Sequence, residues 1–467
     1  MHILDILEEE WMKLKDKFKI NLLIITIIGF ILRLLWITNI ASTPVSDFAA
    51  YHNLAISVFK NETNSFLGFQ GPGYPLILGW FYKLIGCTSI YSAKIFNLII
   101  STITMIIILR VLIHIFHNKK YVYISYVMVI LLPNYIAYNN IVSTEPLSLF
   151  LFSLIVLLQV SGKNTVLMYL FLGVVIGLAS LVKPYIIIYP VIVSLNYYLK
   201  DKDLKETFKM LLVAQITCLC IIAPWTYRNY KVYNDFVSIS YNDGYVMYLN
   251  NNNQNKGGWM SIKDVKMTDE TLRRIKESGY TYEQAVSSFN PRLNKVFKEE
   301  AIKWVKKNPS KFAMLSLKRI KYTFFSGAPD VFDWSMNGTN TNNLFYTFVN
   351  NPIFRVFTNI TVKILSSCGL IFVLIHALSI LKALFVKARL IDYKISIPIF
   401  NIAFTVMLSI VYEGQPRYNF TTLLMFIICL CVSINSFKLP NNIIINTKLM
   451  RDKILTRKDK INGTHLK

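Results

Sequence analysis

The sequence predicts an all-α polytopic membrane protein with about ten transmembrane helices, interfacial helices and a small α-rich region outside the cytoplasm. Three observations carry that prediction. The 467 residues are 54% hydrophobic and only 16% charged, too apolar for a soluble chain of this size. Several apolar stretches approach or exceed the ~20 residues needed to span a bilayer. The formal charge of +24 falls in clusters that flank those stretches, as in cytoplasmic loops. That distribution argues against nucleic acid as a partner and makes the lipid bilayer the partner instead.

Lys13, Lys15, Lys17 and Lys19 precede the first apolar run, about 20–40, and place the N-terminus in the cytoplasm. The run is too long for a signal-peptide core and no small-residue cleavage site follows it, so it reads as a retained span. Residues 41–90 form a long external loop with one short apolar piece, 76–85, at the interface. Spans two and three, about 91–116 and 121–138, flank the turn His117-Asn118-Lys119-Lys120. Glu145 and Pro146 open span four, where Pro suits the first helical turn. Spans five and six, about 165–182 and 185–199, meet at Val182-Lys183-Pro184; one long kinked element is the alternative there. Lys200, Lys202, Lys205 and Lys209 precede span seven, about 210–225.

From 226 to 351 the chain is polar and aromatic, with no full span, and reads as one external region. Residues 282–307 have helical apolar spacing broken by Asn308-Pro309, and 311–325 is amphipathic and basic, expected to lie along the membrane surface. Three more spans follow, about 355–386, 395–412 and 419–436, with Lys387, Arg389 and Lys394 in the turn between the first two. The expected organisation is therefore a membrane region 1–225 containing the catalytic loop 41–90, an external region 226–351, a second membrane region 352–437 and a basic cytoplasmic tail 438–467. Ten spans put both termini inside the plasma membrane, and every basic cluster then obeys the positive-inside rule.

With that topology, polar residues from distant parts of the chain reach one face. Asp47 follows span one, Glu145 begins span four, Lys183 lies between spans five and six, Arg228 follows span seven, and Glu413 and Arg417 lie between spans nine and ten. Such a set suits group transfer from a lipid phosphate. Cations bind the phosphate, with Arg favoured for bidentate contacts, and stabilise the charge of the leaving group. A carboxylate takes the proton of the acceptor hydroxyl. Plainer roles compete with these. Asp47 could cap a helix over 49–59, Glu145 could serve a helix dipole, and Lys183, Arg228 and Arg417 could be interfacial anchors. Glu413 is expected to pair with a neighbouring base. Tyr51, at i+4, shares the face of Asp47, and His52 does not, so no His–Asp pair is expected. The six cysteines show no ligand spacing and read as buried, inert thiols, with neither a metal site nor a disulfide framework.

The stretches SDFAAYHNLA (46–55), GPGYPLILGWFYKLIG (71–86), TEPLSLFLFSL (144–154), GLASLVKPYIIIYP (177–190), APWTYRNYKVYNDFVSIS (223–240), EAIKWVKKNPSKFAMLSLKRIKYTFF (300–325) and GQPRYNF (414–420) occur in an order that resembles the GT-C superfamily of membrane glycosyltransferases. The resemblance is to bacterial relatives of protein O-mannosyltransferases and of the aminoarabinose transferases that modify lipid A. It implies a polyprenyl-phosphate-linked sugar donor and an inverting, single-displacement transfer to an extracytoplasmic acceptor: a cell-envelope glycan, lipid or protein. It implies a catalytic Asp in the first external loop, here Asp47, and a second acid at Glu145. It assigns the donor phosphate to Lys183, Arg228 and Arg417, and Tyr51 and Tyr74 in the first loop complete the substrate-binding set. It fixes no cofactor and leaves a divalent metal open. The competing functional readings are a transporter or flippase for a lipid-linked sugar, which would need no base, and a non-catalytic envelope scaffold.

Overall fold

The computed structural model describes residues 15–386 and 392–437; Lys13, Lys387, Arg389 and the basic tail lie outside the described residues. In chain order the helices are α1 (Asp16–Asn39), α2 (Ser46–Phe59), α3 (Gly73–Ile85), α4 (Ile90–Ile115), α5 (Lys119–Leu131), α6 (Pro133–Ala137), α7 (Glu145–Ser161), α8 (Val166–Val182), α9 (Tyr189–Asp201) and α10 (Leu204–Tyr233). The intervening region holds α11 (Asp243–Asn250), α12 (Asp269–Glu277), α13 (Tyr282–Ser287), α14 (Pro291–Lys307), α15 (Pro309–Phe325), α16 (Pro329–Met336) and α17 (Leu344–Asn350). The chain closes with α18 (Pro352–Phe385), α19 (Tyr393–Val411) and α20 (Thr422–Phe437). Among the described residues no strand forms, and the protein is an all-α, multi-pass membrane protein.

Five helices, α1, α4, α10, α18 and α19, are long and apolar enough to cross a membrane. α5 with the following segment to Asn140 makes a sixth, bent by 49°. The helices α7, α8 and α20 are apolar but shorter. The expectation of about ten full-length spans thus meets helices that punctuation residues cut short. Pro133 breaks the third predicted span. Gly162, at φ 64°, ends α7, using the left-handed conformation that only Gly adopts at no cost. Pro184 ends α8 by forcing Lys183 out of helical conformation, at φ −131° and ψ 98°. Residues 165–199, read as two spans or one long kinked element, form two helices joined by a 3₁₀ turn, Pro184–Ile188.

The bundle is held by long parallel seams. α8 packs along α10, α4 along α7, and α18 along α20. α2 lies against α3, and together they form the loop structure expected between the first two spans. α15 is amphipathic and buries one face. It packs on α18, α19 and the turn Pro416–Asn419, burying Leu315, Arg319 and Phe324. The guanidinium of Arg319 donates to Ile410 O at 2.8 Å and to Asn251 Oδ1 at 2.9 Å. Met314, Leu317 and Tyr322 stay exposed, so α15 is an amphipathic helix anchored by one buried Arg. Helix 282–307 forms with a break at Ser288–Asn290, and Asn290 then caps α14 by accepting from Leu293 N. All six cysteines are free; Cys218, Cys429 and Cys431 are buried, but Cys87 and Cys220 are exposed, so burial does not protect those two.

Candidate active site

The site is built where four chain breaks converge. Asp47 is the second residue of α2, and the preceding Ser46 adopts φ 50°, a left-handed conformation costly for a non-glycine residue. Asp47 does not cap its helix, since the N-cap Val45 precedes it and no side-chain cap bond forms. Its carboxylate instead reaches across the fold. Oδ2 accepts from Arg417 Nη2 at 3.0 Å, and Oδ1 accepts from Gln70 Nε2 at 3.1 Å. The Asp47 side chain remains 32% exposed while Arg417 is 17% exposed, so the acid keeps access to solvent and its partner is largely enclosed. Arg417 rides on the 3₁₀ turn Pro416–Asn419 between α19 and α20, with its guanidinium 5.3 Å from the Tyr418 ring.

A second ion pair lies beside the first. Lys183 Nζ donates to Glu145 Oε1 at 3.3 Å, and Thr144 Oγ1 donates to Oε2 at 3.3 Å. The same Pro184 that ends α8 presents Lys183 at the turn. Gly71-Pro72-Gly73 lets the start of α3 press against that turn: a Cβ on Gly71 would stand 2.5 Å from Val182 O, and one on Gly73 would stand 2.7 Å from the Val182 side chain. The first loop is thereby docked onto the residue before Lys183. Arg417 also interacts electrostatically with Glu145 and Glu413, so the two pairs form one network. Glu413 accepts from Tyr418 OH at 2.7 Å and Gln415 Nε2 at 2.5 Å. Its expected pairing with a base is replaced by these neutral donors, and burial pushes its carboxyl up.

The remaining predicted residues fall around this network. Tyr51 is buried beside Asp47, Arg417, Glu145 and Thr144. Tyr74 stands behind it, ring to ring at 5.8 Å, with its hydroxyl given to Asn97. Arg228 is occupied elsewhere. It donates to Asn64 O at 2.7 Å and Tyr233 OH at 3.2 Å, and stacks 4.7 Å from Trp225. It thus clamps the 64–68 turn of the first loop rather than joining the Asp47–Arg417 pair. His52 bonds Tyr82 OH at 2.9 Å, as its off-face position implied. Among the described residues no group of three or more His, Cys, Asp and Glu side chains could hold a metal ion.

Sequence reasoning missed Gln70, the second partner of Asp47, and Asp330. Asp330 lies on α16 and shares a small cavity with Arg417; burial and then the charge of Asp333 raise its carboxyl. Gln70 immediately precedes the Gly-Pro-Gly turn, which was a usable signal. Asp330 gave none, because an acid at a helix N-terminus is ordinary.

Residues 70–227 match the family model described as dolichyl-phosphate-mannose-protein mannosyltransferase. The matched stretch takes in Gln70, Glu145 and Lys183, and leaves Asp47, Arg228 and Arg417 outside it. It supports a membrane glycosyltransferase of the GT-C superfamily. Among solved structures, the oligosaccharyltransferase of Archaeoglobus fulgidus, tethered with an acceptor peptide containing the NVT sequon, is similar with a TM-score of 0.48 at 10% identity, over 88% of this chain and 49% of that one. The chain spans about half the length of that structure. No curated protein matches the sequence.

Proposed function

We propose that the protein moves one sugar from a polyprenyl-phosphate donor to a hydroxyl acceptor outside the cytoplasm, with inversion at the anomeric carbon. The carrying observation is the partly exposed Asp47 carboxylate held by Arg417 at 3.0 Å and Gln70 at 3.1 Å, where a base and a phosphate-binding cation share one contact. Donor phosphate competes for Arg417 and draws it from Oδ2. The freed carboxylate takes the acceptor proton as the acceptor oxygen attacks the anomeric carbon. The bond from that carbon to the phosphate oxygen breaks, and its electron pair leaves on the phosphate, whose charge Arg417 and Lys183 stabilise. Glu145 holds Lys183 in place, Tyr51 closes the inner wall, and Tyr74 backs it. Arg228 fixes the first loop around the donor. Both termini lie on the cytoplasmic side and the site faces outward, which makes a lipid-carried donor the natural supply.

The test is donor consumption by purified protein in lipid, given polyprenyl-phosphate mannose or other polyprenyl-phosphate sugars with cell-envelope extract. Wild type should transfer label and Asp47→Asn should not, at equal folding. Equal turnover by both proteins overturns the role of Asp47. Donor binding without turnover by either protein favours the transporter reading.

A further inference from the structure

Beside Arg417 lies a small cavity walled by Asn134, Tyr138, Asp330, Trp334 and Arg417. Three of its walls carry buried polar atoms with no partner: Asn134 Oδ1, Tyr138 OH and Arg417 Nε. Asn134 is 5% exposed and Tyr138 2%. Buried polar groups are normally paired, and each orphan costs about 1–3 kcal/mol, so three on residues that line one cavity is a feature that needs a cause. The chain goes out of its way to put them there. Pro133 breaks the sixth apolar helix by 49°, which brings Asn134 and Tyr138 to the wall instead of continuing a span. α16 then closes the far side by packing on α6 and on the Pro416–Asn419 turn. It is also tied to the catalytic helix, as Phe48, next to Asp47, meets the Trp334 ring at 5.1 Å.

We propose that this cavity is a sugar subsite that receives a hydroxyl or hydroxymethyl group of the transferred sugar or of a glycan acceptor. The inference rests on the glycosyltransferase reading above. A hydroxyl is both donor and acceptor, so one such group can give its proton to Asn134 Oδ1 or Asp330 and accept from Tyr138 OH or Arg417 Nε. An apolar ligand would leave all of these orphaned. A phosphate would meet Asp330 and the Asn134 carbonyl, whose repulsion opposes the attraction of Arg417. The Trp334 ring supplies the aromatic wall typical of small-molecule pockets with a few fixed polar groups. Asp330 and Tyr138 are then specificity-determining residues outside the proton-transfer pair.

Tyr138→Phe is the sharpest probe, because it deletes an atom that has no partner in the protein. Wild type, Tyr138→Phe and Asn134→Ala in lipid nanodiscs would be assayed with polyprenyl-phosphate mannose, glucose and galactose, then with the monodeoxy forms of whichever sugar wild type uses. Cell-envelope extract would be titrated at saturating donor. Tyr138→Phe should keep its Tm and kcat while raising one half-saturation constant about tenfold. A rise for the donor, absent with one particular deoxy sugar, assigns the group to the donor; a rise for the extract assigns it to the acceptor. Unchanged constants on both axes, with wild type active, overturn the subsite and leave the glycosyltransferase reading standing. No turnover of any donor by wild type overturns that reading and the subsite with it.

Discussion

Two charged networks in this molecule use the same chemistry in opposite ways. In the intervening region, Glu300 accepts from Arg274 at 2.7 Å, Lys303 at 3.1 Å and Thr271 at 3.3 Å. Arg274 also pairs with Glu299, and Lys303 with Glu270. Asp243 holds Lys298 and Asn294, and Asn294 Oδ1 in turn accepts from the backbone of Gly244 and Tyr245. Among the described residues none of the side chains in these two clusters carries a buried orphan atom, whereas Asn134, Tyr138, Asn139, Asn140, Ser143 and Arg417 all carry one around the Asp47–Glu145 cluster. A closed network rigidifies; an open one holds polar capacity for something else. The comparison separates closed networks from open ones where residue type alone does not.

The largest test of that difference is Asp47→Asn, which keeps the shape and the Gln70 contact but removes the base. Turnover should fall by about 10²–10⁴-fold, with Tm within a few degrees of wild type, measured by donor consumption and by thermal unfolding in lipid. Next comes Arg417→Gln. It should raise the donor half-saturation constant and lower kcat, for about 10²-fold in kcat/KM. An unaltered donor constant would move Arg417 from the substrate side of the comparison to the structural side.

The helices were legible because burial and bilayer length impose periodicity and composition on long runs, and the bounds of α1, α4 and α18 fall close to the hydropathy reading. The short helices were not, since Pro133, Gly162 and Pro184 act locally while their neighbours remain apolar. The clustering of Asp47, Glu145, Lys183 and Arg417 was legible because each is a charge beside the end of an apolar run, where only topology is needed to bring them together. Gln70 and Asp330 are ordinary loop and helix-start residues whose role exists only in three dimensions. The partners of Arg228 were not legible: nothing in one sequence says that Asn64 O and Tyr233 would take its guanidinium.

The closed network should respond in stability and not in catalysis. Glu300→Gln leaves Arg274 with Glu299 alone and should cost about 1–2 kcal/mol, read as a drop of a few degrees in Tm with donor and acceptor constants unchanged. A change in those constants would show that the intervening region reads substrate through this network. Asp243 adds a pH signature. Burial pushes its carboxyl up, but hydrogen bonds from Asn294 and Lys298 and the lysine charge outweigh that and hold it below its ordinary value. A carboxylate lowered on folding contributes stability that is full above its unfolded value, about 4, and is lost as pH falls through the lower folded value. Wild type should therefore exceed Asp243→Asn in Tm above about pH 5 and converge on it in more acidic buffer. A gap that widens on acidification would contradict the sign.

The smallest expected effect comes from the pair Arg273–Glu277 on α12, one turn apart and 3.8 Å between nitrogen and oxygen, with side chains 68% and 61% exposed. Solvent screens such a pair, and holding two long side chains together costs rotamer freedom, so exposed pairs of this kind often contribute nothing measurable. Arg273→Gln should leave Tm and both half-saturation constants unchanged. The neighbouring Arg274, equal in charge and one position along the chain, is the matched contrast, because its side chain is only 20% exposed and reaches buried Glu300. Should Arg273→Gln lower Tm as much as Glu300→Gln does, formal charge and not closure would be what stabilises this region, and the distinction between the two networks would have to be drawn on other grounds.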